Sequence, residues 1–414
     1  MSDPAAIAER FDPFNDPYLS DPYPFFAEAR QSAPVFYSQA LDYWIVTRYA
    51  DVKEVLQNWR VFSASNTLDT LKPLCPHARQ ALADGGFRPA KALTNADPPA
   101  HTRVRRLANV AFTPRRVALM EDFIRSTAER FVDQRLTAGH ADLVRELAWD
   151  LPALVIFNVI GVPEEDLPRV KAGTGSRVLF NWGYPSDEEQ VRLAVDGASF
   201  WRYAEHLVAE RTREPRDDFT SDLIQARDRQ GEALDPREIT TVLFSLLTAG
   251  HETTTSLLSN AFLWLLREPA VWQALGRDLS LVPNAVEEVL RMDPSVFSWR
   301  RKALHETELG GVRIPEGANL LVMIGSANRD PTVFADPERF DIRRANAREH
   351  IAFGHGSHIC LGAPLARLEA RVVIEVLARR LPTLRLVPGQ KFAYTPNTSF
   401  RGPMALDVEW QPAS

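Results

Sequence analysis

The chain has 414 residues, 45% of them hydrophobic and 25% charged, values typical of a folded globular protein and far from those of disordered or fibrous chains. With 48 basic and 54 acidic side chains the formal charge is −6, which leaves no basic excess to neutralise phosphates and excludes nucleic acid as an expected partner. No apolar stretch is long enough to span a bilayer, and the opening MSDPAAIAERFDPFNDP has neither a basic nor an apolar region of the signal-peptide kind, so a cytoplasmic location is expected.

No Gly/Ser linker, charge block or repeat divides the sequence, which reads as one domain over 1–414. In chain order, β-like alternation predicts short strands at 35–37 and 43–46. The proline-rich stretch 63–99 predicts a long functional loop, suited to covering a substrate. Apolar residues spaced near 3.6 predict helices over 118–136, 142–160, 188–211 and 236–266. Further strands are expected at 308–314 and 319–324, punctuated by Gly310-Gly311 and Pro315-Glu316-Gly317. A second long loop covers 329–351, followed by a last helix over 364–381. The sum is a mainly α protein carrying small antiparallel β-sheets.

Two cysteines, Cys75 and Cys360, stand far apart in a chain without a secretory signal, so a disulfide is not expected and a thiol is available as ligand or nucleophile. Cys360 follows a glycine-rich turn, Phe353-Gly354-His355-Gly356-Ser357-His358-Ile359, and precedes Leu361-Gly362-Ala363-Pro364-Leu365-Ala366-Arg367, where a helix begins. Gly354, Gly356 and Gly362 allow backbone angles and close approach that a β-carbon blocks. Free amides and the dipole at the helix start both favour a sulfur anion, which is what a metal ligand requires. A buried structural cysteine is the bland alternative. Zinc held by His355, His358 and Cys360 is another, although their spacing fits neither common finger pattern and no fourth ligand lies nearby.

Other constellations accompany the cysteine. Glu288 and Arg291, three apart, share a helical face and can pair while holding a third group. His101 and Arg105, four apart after Pro98-Pro99, project from one face of a new helix. Ala249-Gly250-His251-Glu252-Thr253-Thr254 interrupts an apolar run with polar side chains. There a threonine hydroxyl can bond the carbonyl four residues back and bend the helix, and an acid stands beside an alcohol. Alone, that triplet also fits a hydrogen-bonded core, and His251 is left undecided between pocket and surface.

The segment 353–367 resembles the haem-binding signature of the cytochrome P450 family, and the resemblance extends over nearly the whole chain. It implies the P450 fold, haem b with Cys360 as axial thiolate ligand of the iron, and Phe353 beside it. His101, Arg105, Arg301 and His358 match the family's propionate-binding positions. Glu288 and Arg291, joined by Arg339 of Pro337-Glu338-Arg339-Phe340, match a structural set that fixes the cysteine loop. Glu252 and Thr253 match the family's acid–alcohol pair for proton delivery, with glutamate where many bacterial members carry aspartate. Family comparison places the substrate against 63–97, 179–184, 244–249, 295–299 and 397–400, with Ala249, Phe297 and Phe400 as contacts. Core packing is the alternative for both phenylalanines and for Trp299.

The resemblance further implies a monooxygenase that inserts one atom of O2 into a small apolar or aromatic organic substrate, by hydroxylation or oxidative dealkylation. A peroxygenase driven by hydrogen peroxide and a haem-thiolate sensor are the alternatives. No dinucleotide fingerprint, flavin segment or cysteine cluster occurs, so electrons must come from elsewhere. The sequence is similar to haem domains of self-sufficient bacterial enzymes fused to an FMN/2Fe-2S reductase, which would make Ser414 a truncation point. The competing donor is a separate ferredoxin, received on a basic face of Arg343, Arg344, Arg348, Arg379 and Arg380. Arg103, Arg106, Arg115 and Arg116 are expected to be solvated.

Overall fold

Helix Pro236–Leu265, about 45 Å long by its rise per residue, begins where its sequence dictates. The Asp235 carboxylate accepts from Glu238 N at 2.8 Å, Glu238 accepts from Asp235 N at 3.0 Å, and Pro236 occupies the first turn, where no N–H is needed. Ser186 and Glu189 form the same reciprocal cap at the start of Asp187–Arg213. Thr113 caps Pro114–Arg135, and Gly161, at φ 85°, ends Asp150–Ile160 in the left-handed conformation. These helices dominate the computed structural model, which describes residues 4–109, 112–172, 177–228 and 231–411.

The strands are β1 (Val35–Ser38), β2 (Tyr43–Val46), β3 (Phe62–Ser63), β4 (His140–Asp142), β5 (Trp299–Ala303), β6 (Thr307–Leu309), β7 (Val312–Ile314), β8 (Asn319–Val322), β9 (Arg385–Leu386) and β10 (Asp407–Glu409). They form a five-stranded sheet in the order β1-β2-β8-β5-β3, a three-stranded sheet β4-β10-β9 and the hairpin β6-β7. The expectation of antiparallel sheets fails at one pairing. β2 and β8 run parallel, with Trp44 opposite Leu320; they come from opposite ends of the chain, so no hairpin fixes their sense. β5 is antiparallel to β8, with Trp299 opposite Val322, and its alternation sends Trp299 and Arg301 to the same face.

Two segments differ from their sequence patterns. The expected loop 63–99 contains the helix Pro76–Asp84, capped by Cys75, whose Sγ accepts from Ala78 N at 3.4 Å. Pro76 there is a helix-start proline rather than a loop marker. The expected helix over 142–160 is instead strand β4, a π turn at Val144–Ala148 and then Asp150–Ile160.

The first half of Pro236–Leu265 packs on Asp150–Ile160 and Asp187–Arg213, and the helix also packs on Val282–Met292 and Ala363–Arg380. A layer of N-terminal aromatics, including Phe11, Phe25 and Phe26, covers the five-stranded sheet, with Phe11 and Phe25 packing on Phe36 of β1. That layer is tied down by residues late in the chain. Tyr23 Oη donates to Asp293 at 2.6 Å, and Arg401 donates to the carbonyls of Leu19 and Ser20 at 2.7 Å each.

Candidate active site

A cavity of about 730 Å³ is bounded by Pro236–Leu265, the segment 68–95 and the cysteine loop, with apolar walls that include Phe87, Phe180, Phe244, Leu257 and Trp299. Cys360 opens onto it. Cys360 N donates to Phe353 O at 2.8 Å, and Gly354 and Gly356 take φ of 77° and 73°, so the loop curls before the helix Ala363–Arg380 starts. At Gly356 a β-carbon would also stand 2.9 Å from Gln57 Cα, which seats the loop against the helix Tyr49–Gln57.

Gly362 departs from expectation. Its φ of −81° is open to any residue, and what it contributes is its amide. Burial raises the Cys360 thiol pKa, against the opposing pull of the Gly362 and Ala363 amides and of Arg105. The helix start and Arg105 therefore do not by themselves make the thiolate; a metal ion bound at the sulfur would. Cys75, the other thiol, is likewise free but spent on its helix cap.

His101, Arg105, Arg301 and His358 converge. The two imidazoles lie 4.1 Å apart, and His358 Nδ1 contacts Leu93 O at 3.2 Å. Both nitrogens of His101 and Nε2 of His358 are buried with no hydrogen-bond partner among the described residues. Burial and the field of Arg105 push His101 down to about 4; burial and the field of Arg301 push His358 down to about 3. Arg301, lowered to about 10 by burial, stays cationic. Two cations and two neutral N–H donors at one edge of an apolar cavity suit an apolar ring system with carboxylate arms, and with Cys360 they fit haem. Phe353 lines the cavity beside them, under the Arg367 guanidinium at 4.5 Å.

On the helix Pro236–Leu265, Ala249, Glu252 and Thr253 line the same cavity. Thr253 Oγ1 donates to Ala249 O at 2.6 Å, and the helix continues unbroken through 249–254. Gly250 serves packing, since a β-carbon there would stand 2.5 Å from Ile156 Cγ1. Burial lifts the Glu252 carboxyl to about 8, partly opposed by Arg177, so it holds its proton at neutral pH. His251 turns away into the core, with Nε2 2.7 Å from Trp149 O.

The structural set differs from expectation in one member. Arg291 holds Glu288 through two bonds, Nε–Oε2 at 2.7 Å and Nη2–Oε1 at 2.8 Å, with both side chains fully buried. The second guanidinium is that of Arg344, Nε to Glu288 Oε1 at 3.1 Å. Arg339 points outward, 71% exposed, and contributes its carbonyl, which accepts from Arg291 Nη2 at 3.2 Å. A loop carbonyl and a loop side chain leave the same residue in different directions, so the spacing found the right segment and the wrong group. Arg344, used internally, is also unavailable to a basic face, and Arg380 is paired with Asp133 at 2.6 Å.

Phe297 is another correction. It packs 5.8 Å from the rings of Tyr23 and Phe26 and does not line the cavity, whereas Trp299 and Phe400 do. Arg103, Arg106 and Arg116 pair with Glu238, Asp228 and Asp217 rather than with solvent alone.

Sequence reasoning missed four groups. Glu287 binds Arg367 Nε at 2.8 Å and His350 Nε2 at 3.0 Å, and against burial these bonds hold its carboxyl down to about 2. It ties the helix carrying Glu288 directly to the helix that follows Cys360. Glu369 is a cavity acid with Oε1 unpartnered among the described residues, and burial pushes its carboxyl well above the usual carboxylate range. Its signal was an acid at helical spacing from the cavity-facing Leu365 and Ala366. Arg344 and Arg177 are the others: the sequence placed Arg344 on a basic docking face rather than against Glu288, and Arg177 falls just before the segment 179–184 expected at the pocket.

A thiol-bearing loop and a cationic edge around one apolar cavity define a haem-thiolate protein. The chain belongs to the cytochrome P450 family. Residues 200–392 match the family model described as Cytochrome P450. Cytochrome P450 monooxygenase PikC of Streptomyces venezuelae is 37% identical over 402 residues, covering 95% of this chain and 92% of that protein. Among solved structures, cytochrome P450 CREJ in complex with (4-ethylphenyl) dihydrogen phosphate is 40% identical at a TM-score of 0.93, covering 98% of this chain and 100% of the other. An intact type IV self-sufficient cytochrome P450 monooxygenase is 39% identical at 0.95, covering 98% of this chain and 53% of that one.

The chain is thus an oxidoreductase, a cytochrome P450 monooxygenase with haem as cofactor; the family uses an apolar organic substrate, O2 and a redox partner. Among the described residues no helix is long and apolar enough to cross a membrane.

Proposed function

We propose that the protein inserts one oxygen atom from O2 into a small apolar or aromatic molecule, by hydroxylation or oxidative dealkylation. The observation that carries this reading is the placement of Cys360 and of the Glu252–Thr253 pair on the walls of one apolar cavity. Haem held by Cys360 would supply the oxygen chemistry when bound. His101, Arg105, Arg301 and His358 would hold its propionates. Glu252, protonated at neutral pH, and the Thr253 hydroxyl pass protons into the cavity, while Phe244, Trp299 and Phe400 exclude water and orient the substrate. The aryl phosphate bound by the similar CREJ structure supports an aromatic substrate.

The donor we favour is an FMN/2Fe-2S reductase, on the likeness to the self-sufficient enzyme. The internal use of Arg344 and the pairing of Arg380 weaken the basic face a separate ferredoxin would need.

The reduced, carbon monoxide-bound protein should show the strongly red-shifted absorption band of thiolate ligation, and its absence would sink the reading. Thr253→Ala should lower product formed per electron pair by roughly tenfold or more. Unchanged coupling would remove Thr253 from proton delivery, and full turnover on hydrogen peroxide alone would favour the peroxygenase.

A further inference from the structure

Arg177 opens the helix Arg177–Trp182 and lines the same cavity as Cys360 and Glu252, yet proton delivery and haem retention leave it without a task. Its guanidinium carbon stands 4.3 Å from the centre of the Phe244 ring, and among the described residues it makes one hydrogen bond, a long one, from Nη2 to Asn181 Oδ1 at 3.4 Å. A guanidinium has five N–H donors, so most of its capacity is unmet by the described residues. The acid whose field reaches it is Glu252, which burial keeps protonated up to about 8. Arg177 itself, lowered to about 10 by burial, is charged at neutral pH. A cation that faces a mainly apolar cavity with no contacting counter-charge among the described residues favours an anion there.

The haem edge does not meet that need. There Arg105, Arg301, His101, His358 and Asp97 act on one another, whereas Arg177 and Glu252 form a separate interacting pair. Phe244, Thr248 and Glu252 occupy successive four-residue steps on one face of the helix Pro236–Leu265, and all three line the cavity. Arg177 lies over the first and is coupled to the last, beside the wall along which a substrate would lie.

We propose that Arg177 is a specificity residue that receives an oxyanion, a carboxylate or a phosphate monoester, at one end of an otherwise apolar substrate. The planar fork of the guanidinium matches two oxygens of either group, and the Asn181 side chain, whose Oδ1 accepts from Arg177, borders the same position. This inference rests on the monooxygenase reading above and names its substrate class.

The test titrates the haem-loaded protein with matched pairs, 4-ethylbenzoate against 4-ethylbenzamide and 4-ethylphenyl phosphate against 4-ethylphenol. Binding is followed by the haem absorption shift and independently by calorimetry. At least one acid should bind about tenfold or more tighter than its neutral partner, the strength of one charged hydrogen-bonded contact. The pair that shows the preference identifies the head group. Arg177→Gln should remove about tenfold or more of the acid's affinity and change the neutral compound's by less than about twofold; Arg177→Lys should fall between. Equal binding of acids and neutrals by the wild type overturns the proposal. So does an acid-to-neutral ratio unchanged in Arg177→Gln, the result expected if Arg177 only steadies Glu252. Silence from all four compounds would remove the small-aromatic reading as well, whereas neutral binding without acid preference removes this inference alone.

Discussion

Glu252 and Thr253 are adjacent in sequence but held by opposite means, one by burial and one by a hydrogen bond to its own helix. The unfolded chain releases the Glu252 proton near the ordinary carboxyl value of about 4.5, whereas the fold retains it to about 8. Between those values the folded state binds more protons than the unfolded one, so this side chain costs stability as pH rises from 4.5 to 8, at about 1.4 kcal/mol per pH unit. Glu252→Gln should flatten that decline, seen as a smaller loss of denaturation free energy between pH 5 and 8 than in the wild type; parallel curves would refute it. Cys360 and Glu252 were legible because their motifs put rare residue types at fixed spacing. Phe297, Glu369 and Arg177 were not, because whether a side chain enters a cavity depends on backbone torsions and on which neighbour is across from it. Phe297 turns into the aromatic layer over the sheet while Trp299, two positions on, faces the cavity.

Two pairs of elements decide whether the site is assembled. Gly250 lets the helix Pro236–Leu265 approach Asp150–Ile160 closely, and alanine there sets a gain of about 1 kcal/mol in helix propensity against overpacking of about 1–3 kcal/mol. A β-carbon 2.5 Å from Ile156 Cγ1, in a well-packed core, makes the overpacking win. Gly250→Ala should therefore destabilise the wild type, and the same substitution should cost less in an Ile156→Ala background, whose own cavity lowers stability, when the four chains are compared by thermal unfolding. The helix Val282–Met292 is the second case. Arg291→Ala leaves Glu288 buried with one partner fewer and should cost about 3–5 kcal/mol, while Arg339→Ala should cost about 0.5 kcal/mol or less. Similar losses would mean that the Arg339 side chain matters after all. The apolar period marked the long helices well, since each buries one stripe. It failed at Pro76–Asp84, where proline serves as a helix start, and at the π turn Val144–Ala148, where five residues wind differently without changing composition.

At the scale of the molecule, the parallel pairing of β2 with β8 and the bonds from Tyr23 and Arg401 fasten the beginning of the chain to its end. A two-stranded hairpin is marginal by itself, so β1 and β2 should gain amide protection in refolding no earlier than β8, measurable by pulsed hydrogen exchange. Early protection of 35–46 would show that the N-terminal layer folds independently. This closure across the chain was invisible in the sequence, because nothing local announces a partner hundreds of residues away. It also bears on how the protein is made. Arg401 and Leu19 are 382 positions apart, which at about 5–20 residues per second separates their emergence from the ribosome by roughly 20–75 s. Through that interval Phe11, Phe25 and Phe26 have lost water's tolerance without yet having the sheet that will cover them. The yield of soluble protein in a foreign host should therefore rise with the supply of chaperone to the first fifty residues, and a yield indifferent to it would show that these rings are shielded locally.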